Sequence, residues 1–539
     1  MKSYDALVIG AGHNGLVHAA YLARAGLSVA VLERRPVIGG ATLTEEAYPG
    51  FKYSVFSYLV SLLRPEVIHE LDLVRHGLNV TSLESTYNPL PGGGELFREA
   101  DAQRTVHSIA RHSKRDAENY PIFKREMTFI ARLCHRLQDT VPPEIDARVG
   151  ALDEALLPEL AKLFADVPAR RRRIFLQMLT QSAEDFLQQW FESEALIAAL
   201  STSSIIGSFL SPRSPGSAYV LLHHYMGEVD GVYRGWGWAR GGTGAVADAV
   251  ARAAQSHGAE ILTDASVAEL LVEDGAVGGV ALEDGRELRS RIVTSSAGPQ
   301  LSLDRFLGDA GRAAMPDLVA RARSWQSDGC SGKVNLSLDG VPEFASRPGL
   351  GAHQAGGISI APSVDYIHDA YVEAKAGRPS RRPFVDMVIP SVIDPTMAPP
   401  GRHVMSCFVQ YLPRRLRDGE GRPADWESER EAVGDAVLDV LSEHIPRIKE
   451  QVLHRQVMTP VDVERVAGIP GGNIFHGELK LSQLFLNRPG ARGAGFGTPL
   501  PGYYLCGSAT HPGGGISGAP GRFAAHRVLS DLTGGGGSS

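Results

Sequence analysis

Short apolar runs alternate with helical patterns at both ends of the chain. Residues 6–9 (ALVI) form an apolar run with β-branched members, as a buried parallel strand requires. Helix formers and small residues follow over 16–25, and a second strand is predicted over 28–32. Near the other end, 503–506 reads as another strand and 522–532 has helical composition. This alternation predicts an α/β domain with a parallel sheet.

A glycine-rich turn with the spacing G-x-G-x-x-G follows the first strand. Its three glycines permit a tight turn, close approach of the backbone to a pyrophosphate, and close packing of helix on strand. An acidic residue ends the second strand, where a carboxylate can accept hydrogen bonds from a ribose. We expect an adenine dinucleotide here, with an ordinary helix-initiating turn as the alternative. The expected contacts are Gly10, Gly12, His13, Asn14, Gly15, Glu33 and Arg34.

A glycine doublet follows the acidic residue within the segment 34–42 (RRPVIGGAT). Such a doublet lets a second loop approach the same cofactor. The pattern resembles the extended fingerprint of FAD-binding oxidoreductases rather than that of NAD dehydrogenases, and this resemblance favours FAD. The expected contacts in this loop are Gly39, Gly40, Ala41 and Thr42.

The late strand leads into a second glycine-rich turn, GSATHPGGGISGAPG at 507–521, and then into the last helix. The N-terminus of a helix is positive, and next to an isoalloxazine it stabilises the anion that forms on reduction. The alternative is a closely packed helix start with no ligand. The expected contacts are Gly507, Ser508, Gly514, Gly515 and Ile516.

Composition narrows the class of protein. The 539 residues allow two to four domains, and 43% hydrophobic with 21% charged residues is typical of a globular chain. A net charge of −7 argues against nucleic-acid binding. The four cysteines are far apart, so neither a zinc site nor a disulfide framework is predicted. With no recognisable leader and no long apolar run, we expect a cytoplasmic protein.

Five segments carry a resemblance to a known family: GAGHNGL at 10–16, LERRPVIGGAT at 32–42, HHYMGEVDGVYRGWGWARGGTGAV at 223–246, GGNIFHGELKLSQLF at 471–485 and YLCGSATHPGGGISGAPG at 504–521. The chain resembles the flavin-containing amine oxidoreductase superfamily, in its branch of phytoene desaturases and carotenoid isomerases. Its nearest resemblance is to the group named pyridine nucleotide-disulfide oxidoreductase domain-containing protein 2. The resemblance implies an α/β fold in which a Rossmann-like FAD domain of the glutathione-reductase type is interleaved with an α+β substrate domain and a helical insert.

Two features depart from what the resemblance and the group name imply. Many relatives carry an acidic residue where this chain has Ser508, although a serine can still bond a ribityl hydroxyl. No closely spaced cysteine pair exists to exchange electrons with a flavin, so disulfide chemistry is excluded. No second dinucleotide signature follows either, which favours oxygen, a quinone or another carrier as electron acceptor.

The middle of the chain supplies the remaining domain parts. A helix after 241–243, a strand at 259–263, a hairpin over 266–282 and, after a turn at 284–285, a strand over 286–293 are predicted to complete the FAD domain. By resemblance and order, Val267 and Gly298 are expected near adenine and pyrophosphate. Strand-like runs in 325–500 predict an antiparallel sheet over the flavin. The expected parts are FAD-binding at 1–60, 226–300 and 486–533, a mainly helical cap at 61–225, a substrate domain at 301–485 and a tail or linker at 534–539.

The predicted chemistry is transfer of a hydride equivalent from a largely hydrophobic organic substrate to flavin N5. The candidate catalytic residues are His511, His476 and Lys333. For the two histidines the alternative is a purely structural role. For Lys333 the alternative is an exposed position on its strand, which is commoner for a lysine. No metal is predicted, since His223 and His224 lack a convincing third ligand. A binding protein with a structural flavin, a redox-neutral polyene isomerase and an amine oxidase remain alternatives. The basic run 170–173 predicts a solvated turn or a peripheral membrane contact.

Overall fold

The computed structural model describes residues 3–140, 156–489 and 495–534. Of the predicted tail, only Gly534 lies within the described residues. The strands, in chain order, are β1 (Ala6–Ile9), β2 (Val29–Leu32), β3 (Thr44–Tyr48), β4 (Phe51–Ser54), β5 (Val80–Ser82), β6 (Ser85–Pro89), β7 (Glu95–Glu99), β8 (Glu228–Val229), β9 (Val232–Tyr233), β10 (Gly237–Ala239), β11 (Glu260–Leu262), β12 (Val267–Glu273), β13 (Ala276–Leu282), β14 (Glu287–Arg289), β15 (Val293–Ser295), β16 (Ser331–Leu338), β17 (Gly357–Ile360), β18 (Phe384–Val388), β19 (His403–Gln410), β20 (Val452–Met458) and β21 (Tyr503–Leu505).

Helices connect and cover these strands. In chain order they are α1 (His13–Arg24), α2 (Pro65–Glu70), α3 (Ala102–Ala110), α4 (Lys114–Asp139), α5 (Leu156–Ala165), α6 (Ala169–Thr180), α7 (Ala183–Gln188), α8 (Glu194–Ser201), α9 (Ser217–Tyr225), α10 (Gly244–Ser256), α11 (Pro299–Ser302), α12 (Gly308–Ala314), α13 (Pro316–Ser324), α14 (Val364–Lys375), α15 (Trp426–Ser442), α16 (Ile448–Gln451), α17 (Pro460–Ala467) and α18 (Ala519–Leu532).

A five-stranded sheet in the order β11-β2-β1-β15-β21 forms the centre of the first domain, and every neighbouring pair is parallel. Side chains of β1 alternate between its two faces. Ala6 and Val8 face the layer of α1, α10 and α18, whereas Leu7 and Ile9 face the antiparallel sheet β12-β13-β14. Both faces are therefore covered, and the predicted Rossmann-like α/β fold is confirmed.

A seven-stranded sheet, β20-β16-β19-β18-β17-β6-β7, forms the second domain. All of its pairs are antiparallel except β17 with β6. Val334 and Leu336 of β16 pack in one cluster with Trp426 and Val433 of α15, so α15 covers that face. β6 and β7 come from the segment predicted to be mainly helical; the buried Tyr87 on β6 anchors them in the same cluster.

The helices α4 and α6–α9 form an insert around a core of their own. Phe175, Leu187 and Leu200 are buried there, as their spacing predicts. The basic run 170–173 lies in the first turns of α6 instead of forming a turn, and Pro168 is the N-cap residue of that helix. Arg171 of this run pairs with Glu126 of α4 at 2.8 Å. Among the described helices, none is both long and apolar enough to cross a membrane.

Candidate functional site

A cavity of about 1220 Å³ opens at the carboxyl ends of the parallel strands. Ligands of open α/β sheets bind at this edge. The cavity brings together parts of the chain that are far apart in sequence, including both glycine-rich turns. Ten predicted cofactor contacts line it: Gly10, Gly12, His13, Asn14, Glu33, Arg34, Gly40, Ala41, Val267 and Ser508.

The first glycine turn has the geometry that its sequence predicts. Gly10 has φ +93°, and a Cβ added there would lie 2.6 Å from Ser296 Oγ. A Cβ on Gly15 would overlap the Gly10 carbonyl oxygen, so only glycine allows α1 to lie this close to β1. Gly12, by contrast, has φ −70°, and a Cβ there would meet no described atom within 4 Å. The backbone at Gly12 is therefore accessible to a ligand in the cavity.

Glu33 is buried at the end of β2 with its carboxylate fixed by the main chain. Oε2 accepts a hydrogen bond from Ala11 N and Oε1 accepts one from Arg35 N, both at 3.0 Å. A carboxylate has about four acceptor sites, so two remain for a ligand hydroxyl. Arg34 instead donates to the carbonyls of Arg465 and Val466, each at 2.8 Å, at the edge of the cavity.

The second glycine loop pairs with the first. Gly39 N donates to Ala11 O at 2.9 Å, and the Thr42 hydroxyl donates to Gly39 O at 2.7 Å. A Cβ on Gly40 would lie 3.4 Å from Gly12 Cα. Gly39 and Thr42 therefore hold the loop, while Gly40 and Ala41 line the cavity.

The late glycine turn closes onto the start of α1. Asn14 Nδ2 donates to Ser508 Oγ at 3.0 Å, and His13 Nε2 lies 3.0 Å from Gly515 O. Gly514 packs against Phe475, whose Cα would lie 2.5 Å from an added Cβ. A Cβ on Gly507 would overlap Ser296 O, and Ile516 is buried in the core around α1 and α18. The first and last segments thus form one surface.

Two predicted contacts from the middle of the chain are placed differently. Val267, at the start of β12, lies in the wall of the cavity. Gly298 is the N-cap of α11, and a Cβ there would lie 2.8 Å from Pro470 Cδ. Among the described residues it packs on Pro470 and is absent from the cavity lining, where its neighbours Ser296 and Ala297 are found.

The two candidate histidines differ in position. His476 lines the cavity; its Nδ1 is buried and has no partner among the described residues, and burial lowers its pKa to about 3. His511 lies outside that lining in the described chain, with Nε2 2.7 Å from the carbonyl of Gln138. Burial lowers the pKa of His511 to about 4. Both rings are therefore neutral near pH 7.

Lys333 is buried, contrary to the exposure that is commoner for a strand lysine. It lies on the face of β16 opposite Val334, and Nζ donates to Ser406 Oγ at 2.5 Å and sits 4.0 Å from the centre of the Tyr58 ring. The Tyr58 hydroxyl in turn bonds Asp386. Burial lowers the pKa of Lys333 to about 7. We refer to Lys333, Tyr58 and Asp386 as the lysine cluster.

Two further candidate residues, Arg488 and Glu478, were not identified from the sequence. Arg488 is fully buried; Nη1 donates to Ser508 O at 3.3 Å, while Nε and Nη2 have no partner among the described residues. Burial lowers its pKa to about 10. Glu478 lines the cavity, and burial raises its pKa to about 7. Glu478 lies two residues after His476 in the segment 471–485, where the histidine was the candidate, and Arg488 follows that segment without a motif of its own.

A flavin dinucleotide fits these residues. The bare backbone at Gly12 and the two spare acceptor sites of Glu33 suit a pyrophosphate and a ribose. Asn14 Oδ1, His476 Nδ1 and two nitrogens of Arg488 are buried without partners among the described residues. Buried polar atoms rarely remain unpaired, so this group indicates a polar ligand.

A second cavity of about 820 Å³ lies between the helical insert and the seven-stranded sheet. Residues 57–59 run between the two cavities: Ser57 N donates to the carbonyl of Ala41, which lines the first, and Leu59 lines the second. Asp386 of the lysine cluster also lines the second cavity. A ligand there would lie next to the cofactor cavity.

The histidine pair of α9 has no metal-like arrangement. His224 Nδ1 lies 2.9 Å from Val220 O in its own helix, and His223 packs edge-on against Phe475. Within the part of the chain that the structure describes, no group of three His, Cys, Asp or Glu side chains could hold a metal ion.

Comparison with known proteins gives a family match. Residues 15–306 match the family described as flavin containing amine oxidoreductase. The chain is 41% identical over 557 residues to pyridine nucleotide-disulfide oxidoreductase domain-containing protein 2 of Rattus norvegicus, which covers 98% of this chain and 94% of the rat protein. The resemblance drawn from the sequence motifs is confirmed.

More distant relatives also span nearly the whole chain. One of the subunits of the limonene dehydrogenase of Castellaniella defragrans is 26% identical, covering 99% of this chain and 95% of its own. Prolycopene isomerase 2 of an Oncidium hybrid cultivar is 24% identical, covering 98% and 84%. Among solved structures, an oxidoreductase from Methanosarcina mazei matches the fold with a TM-score of 0.60 at 20% identity, covering 98% of this chain and 100% of that one.

Proposed function

The chain belongs to the flavin containing amine oxidoreductase family, and from this premise we propose that it dehydrogenates a carbon–carbon bond of a largely hydrophobic organic substrate. It is an FAD-dependent oxidoreductase, which requires a substrate and an electron acceptor. Bound FAD supplies the oxidising group, which accepts a hydride equivalent at N5. The protein must then bind the cofactor, orient the substrate and hold the accompanying proton.

The second cavity is the observation that carries the proposal. It is large enough for an organic substrate, and aliphatic and aromatic side chains such as Leu59, Ile206 and Trp236 form part of its wall. Residues 57–59 bring this wall next to the loop of Ala41. The names of two relatives support a carbon–carbon substrate, since one belongs to a limonene dehydrogenase and the other is a prolycopene isomerase.

The lysine cluster is the proposed proton acceptor. With a pKa of about 7, the Nζ of Lys333 is neutral in a large fraction of molecules at physiological pH, and its hydrogen bond to Ser406 fixes its position. His476, neutral and in the cofactor cavity, is the second proton carrier that we propose. For His511 we propose a positioning role, because its Nε2 is held by Gln138 of α4.

We further propose oxygen or a quinone as the electron acceptor. The five-stranded sheet, which we propose binds FAD, is the one parallel sheet of this kind in the described residues, so a nicotinamide has no second such site there. The ten cavity-lining contacts, together with the remaining predicted ones that support their loops, are proposed as the FAD site.

Anaerobic mixing of the FAD-loaded protein with candidate substrates tests this function. We expect the absorbance of the oxidised flavin to be lost with alkenes or alkyl compounds and to persist with primary amines. Bleaching by amines alone would make the chain an amine oxidase and contradict the proposal. Conversion of an alkene into its isomer without consumption of an oxidant would equally contradict it. Lys333→Met should slow the bleaching, whereas the exposed control Lys114→Met should not.

A further inference from the structure

The seven-stranded sheet presents a row of polar side chains to the second cavity. Directly paired residues share a face of a sheet, and Lys333 pairs with Phe408, Phe408 with Asp386, and Asp386 with Ser359. Arg98 continues this face at the edge strand β7, where it pairs with Thr86. Thr86 pairs with Gly357, two residues before Ser359 and therefore on the same face.

This register places Arg98 far from the lysine cluster but on the same surface. Five steps between neighbouring strands separate β16 from β7. At about 4.8 Å per step, Lys333 and Arg98 are separated by roughly 24 Å across the sheet. Ser359, Asp386 and Arg98 all line the second cavity. The cavity therefore extends from the edge of the lysine cluster to Arg98.

Arg98 is a buried cation with no carboxylate partner among the described residues. Its exposed fraction is 5%, and Nη2 donates to the neutral amide oxygen of Asn88 at 3.3 Å. Its Nε has no hydrogen-bond partner, and within the described residues no carboxylate lies within 4 Å of its guanidinium. A buried arginine normally has an anionic partner, because an unpaired buried charge costs several kcal/mol.

Two further cations lie near Arg98 in the wall of the same cavity. Arg234 sits over the ring of Tyr225 at 4.6 Å, and Lys124 is exposed on α4. Neither forms an ion pair within 4 Å among the described residues. Burial alone would raise the pKa of Tyr120, but its pKa is lowered, because of the charges of Arg98, Arg234 and Lys124 and a side-chain hydrogen bond with Arg98. We call these three cations the basic cluster.

None of the four carboxylates in this wall forms an ion pair with the basic cluster within 4 Å among the described residues. Glu99 lies 3.6 Å from the exposed Arg104. Asp386 bonds Tyr58 and Ser359 at the other end of the cavity. Glu84 and Asp230 also line the wall, both exposed and without an ion pair among the described residues. Three other arginines line the wall: those at 125 and 171 share Glu126, and Arg132 sits over the ring of Tyr233 at 5.1 Å. The wall therefore carries an excess of positive charge, and Arg98 is its buried cation.

We propose that the second cavity binds an amphipathic substrate whose anionic group, a carboxylate or a phosphate, is held by Arg98, Arg234 and Lys124. This inference rests on the proposed function and specifies its substrate class. The apolar part of the substrate lies along the sheet and the insert, toward the lysine cluster. Anchoring one end at the basic cluster fixes which carbon along the chain lies near the cofactor.

Binding of short amphiphiles to the FAD-loaded full chain tests the proposal without turnover. Isothermal titration calorimetry compares dodecanoate, dodecyl phosphate and dodecan-1-ol below their micelle concentrations, with inorganic phosphate as a fourth probe. We expect at least one of the two anions to bind ten-fold or more tightly than the alcohol, and to bind more weakly as salt increases. The tighter of the two identifies the carboxylate or the phosphate. Equal affinity for the alcohol and both anions would overturn the proposal.

Substitutions in the basic cluster test where the anionic group of the substrate binds. Arg98→Met should reduce the affinity for the anion to that for the alcohol, with FAD content and circular dichroism reporting an intact fold. If Arg98→Met does not fold, Lys124→Met, at an exposed position, should lower the preference for the anion at least three-fold. Arg115→Gln is the matched control, since Arg115 lies on α4 as well but pairs with Glu192 on the surface. A preference that survives Arg98→Met or, failing that, Lys124→Met would overturn the assignment.

The outcome is separable from that of the proposed function. Selective binding of an anion by a protein whose flavin no alkyl compound reduces would support this inference and contradict the dehydrogenase. Flavin reduction by uncharged alkenes, with no preference for anions in binding, would support the dehydrogenase and contradict the anion site.

Discussion

The side-chain amide of Asn14 donates a hydrogen bond of 3.0 Å to the hydroxyl of Ser508. Asn14 lies in the first turn of α1, and Ser508 begins the glycine turn before α18, so the bond joins the two ends of the chain at the cofactor cavity. Because serine carries no charge, Asn14 can pair with it without burying an anion, and Oδ1 of the same amide has no partner among the described residues.

Asn14→Ala should weaken FAD binding about five-fold, since a neutral hydrogen bond contributes roughly 1 kcal/mol. The dissociation constant can be measured from flavin fluorescence as FAD is added to the apoprotein. Asn119→Ala, which removes an amide bonded to Trp190 O in the helical insert, is the control and should leave the constant unchanged. Equal weakening by both variants would contradict a local role for Asn14.

Gly12→Ala should fold normally and lose FAD affinity by roughly ten-fold or more. The φ of −70° at Gly12 suits alanine, and the added methyl group would meet no described atom within 4 Å. It would instead occupy space where the backbone is expected to touch a pyrophosphate. Gly419→Ala, at another position where a Cβ meets nothing, is the matched control. Unchanged FAD content in Gly12→Ala would mean that the pyrophosphate lies elsewhere.

The sequence predicted the cofactor half of the molecule well, because glycine positions reflect local backbone geometry. The close approach of Gly15 to Gly10 and the left-handed φ of Gly39 follow from their own segments. One local boundary differed. The predicted strand 286–293 divides after Arg289, where the Ser290 hydroxyl donates to Asp5 O and Ile292 O and the chain crosses to the parallel sheet.

The substrate half depends on contacts that the sequence does not encode locally. Lys333 looks like any strand lysine until β16 is placed at the inside of a sheet whose other face is covered by α15. Arg98 reaches the same surface only because β6 and β7 join β17 from more than 250 positions away in the chain. No period or motif marks such a long-range pairing, so the charged residues of the second cavity could be identified only from the structure.

Acid should destabilise the protein through its buried histidines. Burial lowers the pKa of His13, His18 and His511 to about 4, below the unfolded value of about 6.5. Between these two pH values the unfolded chain binds more protons, so the free energy of unfolding falls as the pH falls from 6.5 to 4. Guanidinium titrations at several pH values measure this slope.

His511→Gln should make that slope shallower by up to about 1.4 kcal/mol per pH unit, the contribution of one proton. Glutamine can still donate to the carbonyl of Gln138, so the contact is preserved. His257→Gln, at an exposed position after α10, is the control. An unchanged slope in His511→Gln would show that this ring titrates at the same pH in the folded and unfolded protein, so that burial does not lower its pKa.

The titration of Lys333 should affect both the stability of the folded protein and the rate of flavin reduction. In the folded protein Lys333 titrates near pH 7, whereas an unfolded lysine titrates near 10.4. From pH 7 to 10 the unfolded chain therefore binds more protons, and the stability of the wild type rises with pH relative to Lys333→Met. Below pH 7 Lys333→Met should be the more stable protein, because the penalty for a buried charge is then fully present.

The same titration should control flavin reduction. If Nζ of Lys333 accepts the proton, the rate of anaerobic bleaching in the wild type should rise as the pH increases through about 7. Lys333→Met should be slower and lose this rise, and Lys114→Met should retain it. A stability difference with the expected slope but an unchanged pH profile of the rate would assign Lys333 to the packing of β16 against Tyr58 and remove it from the proton path.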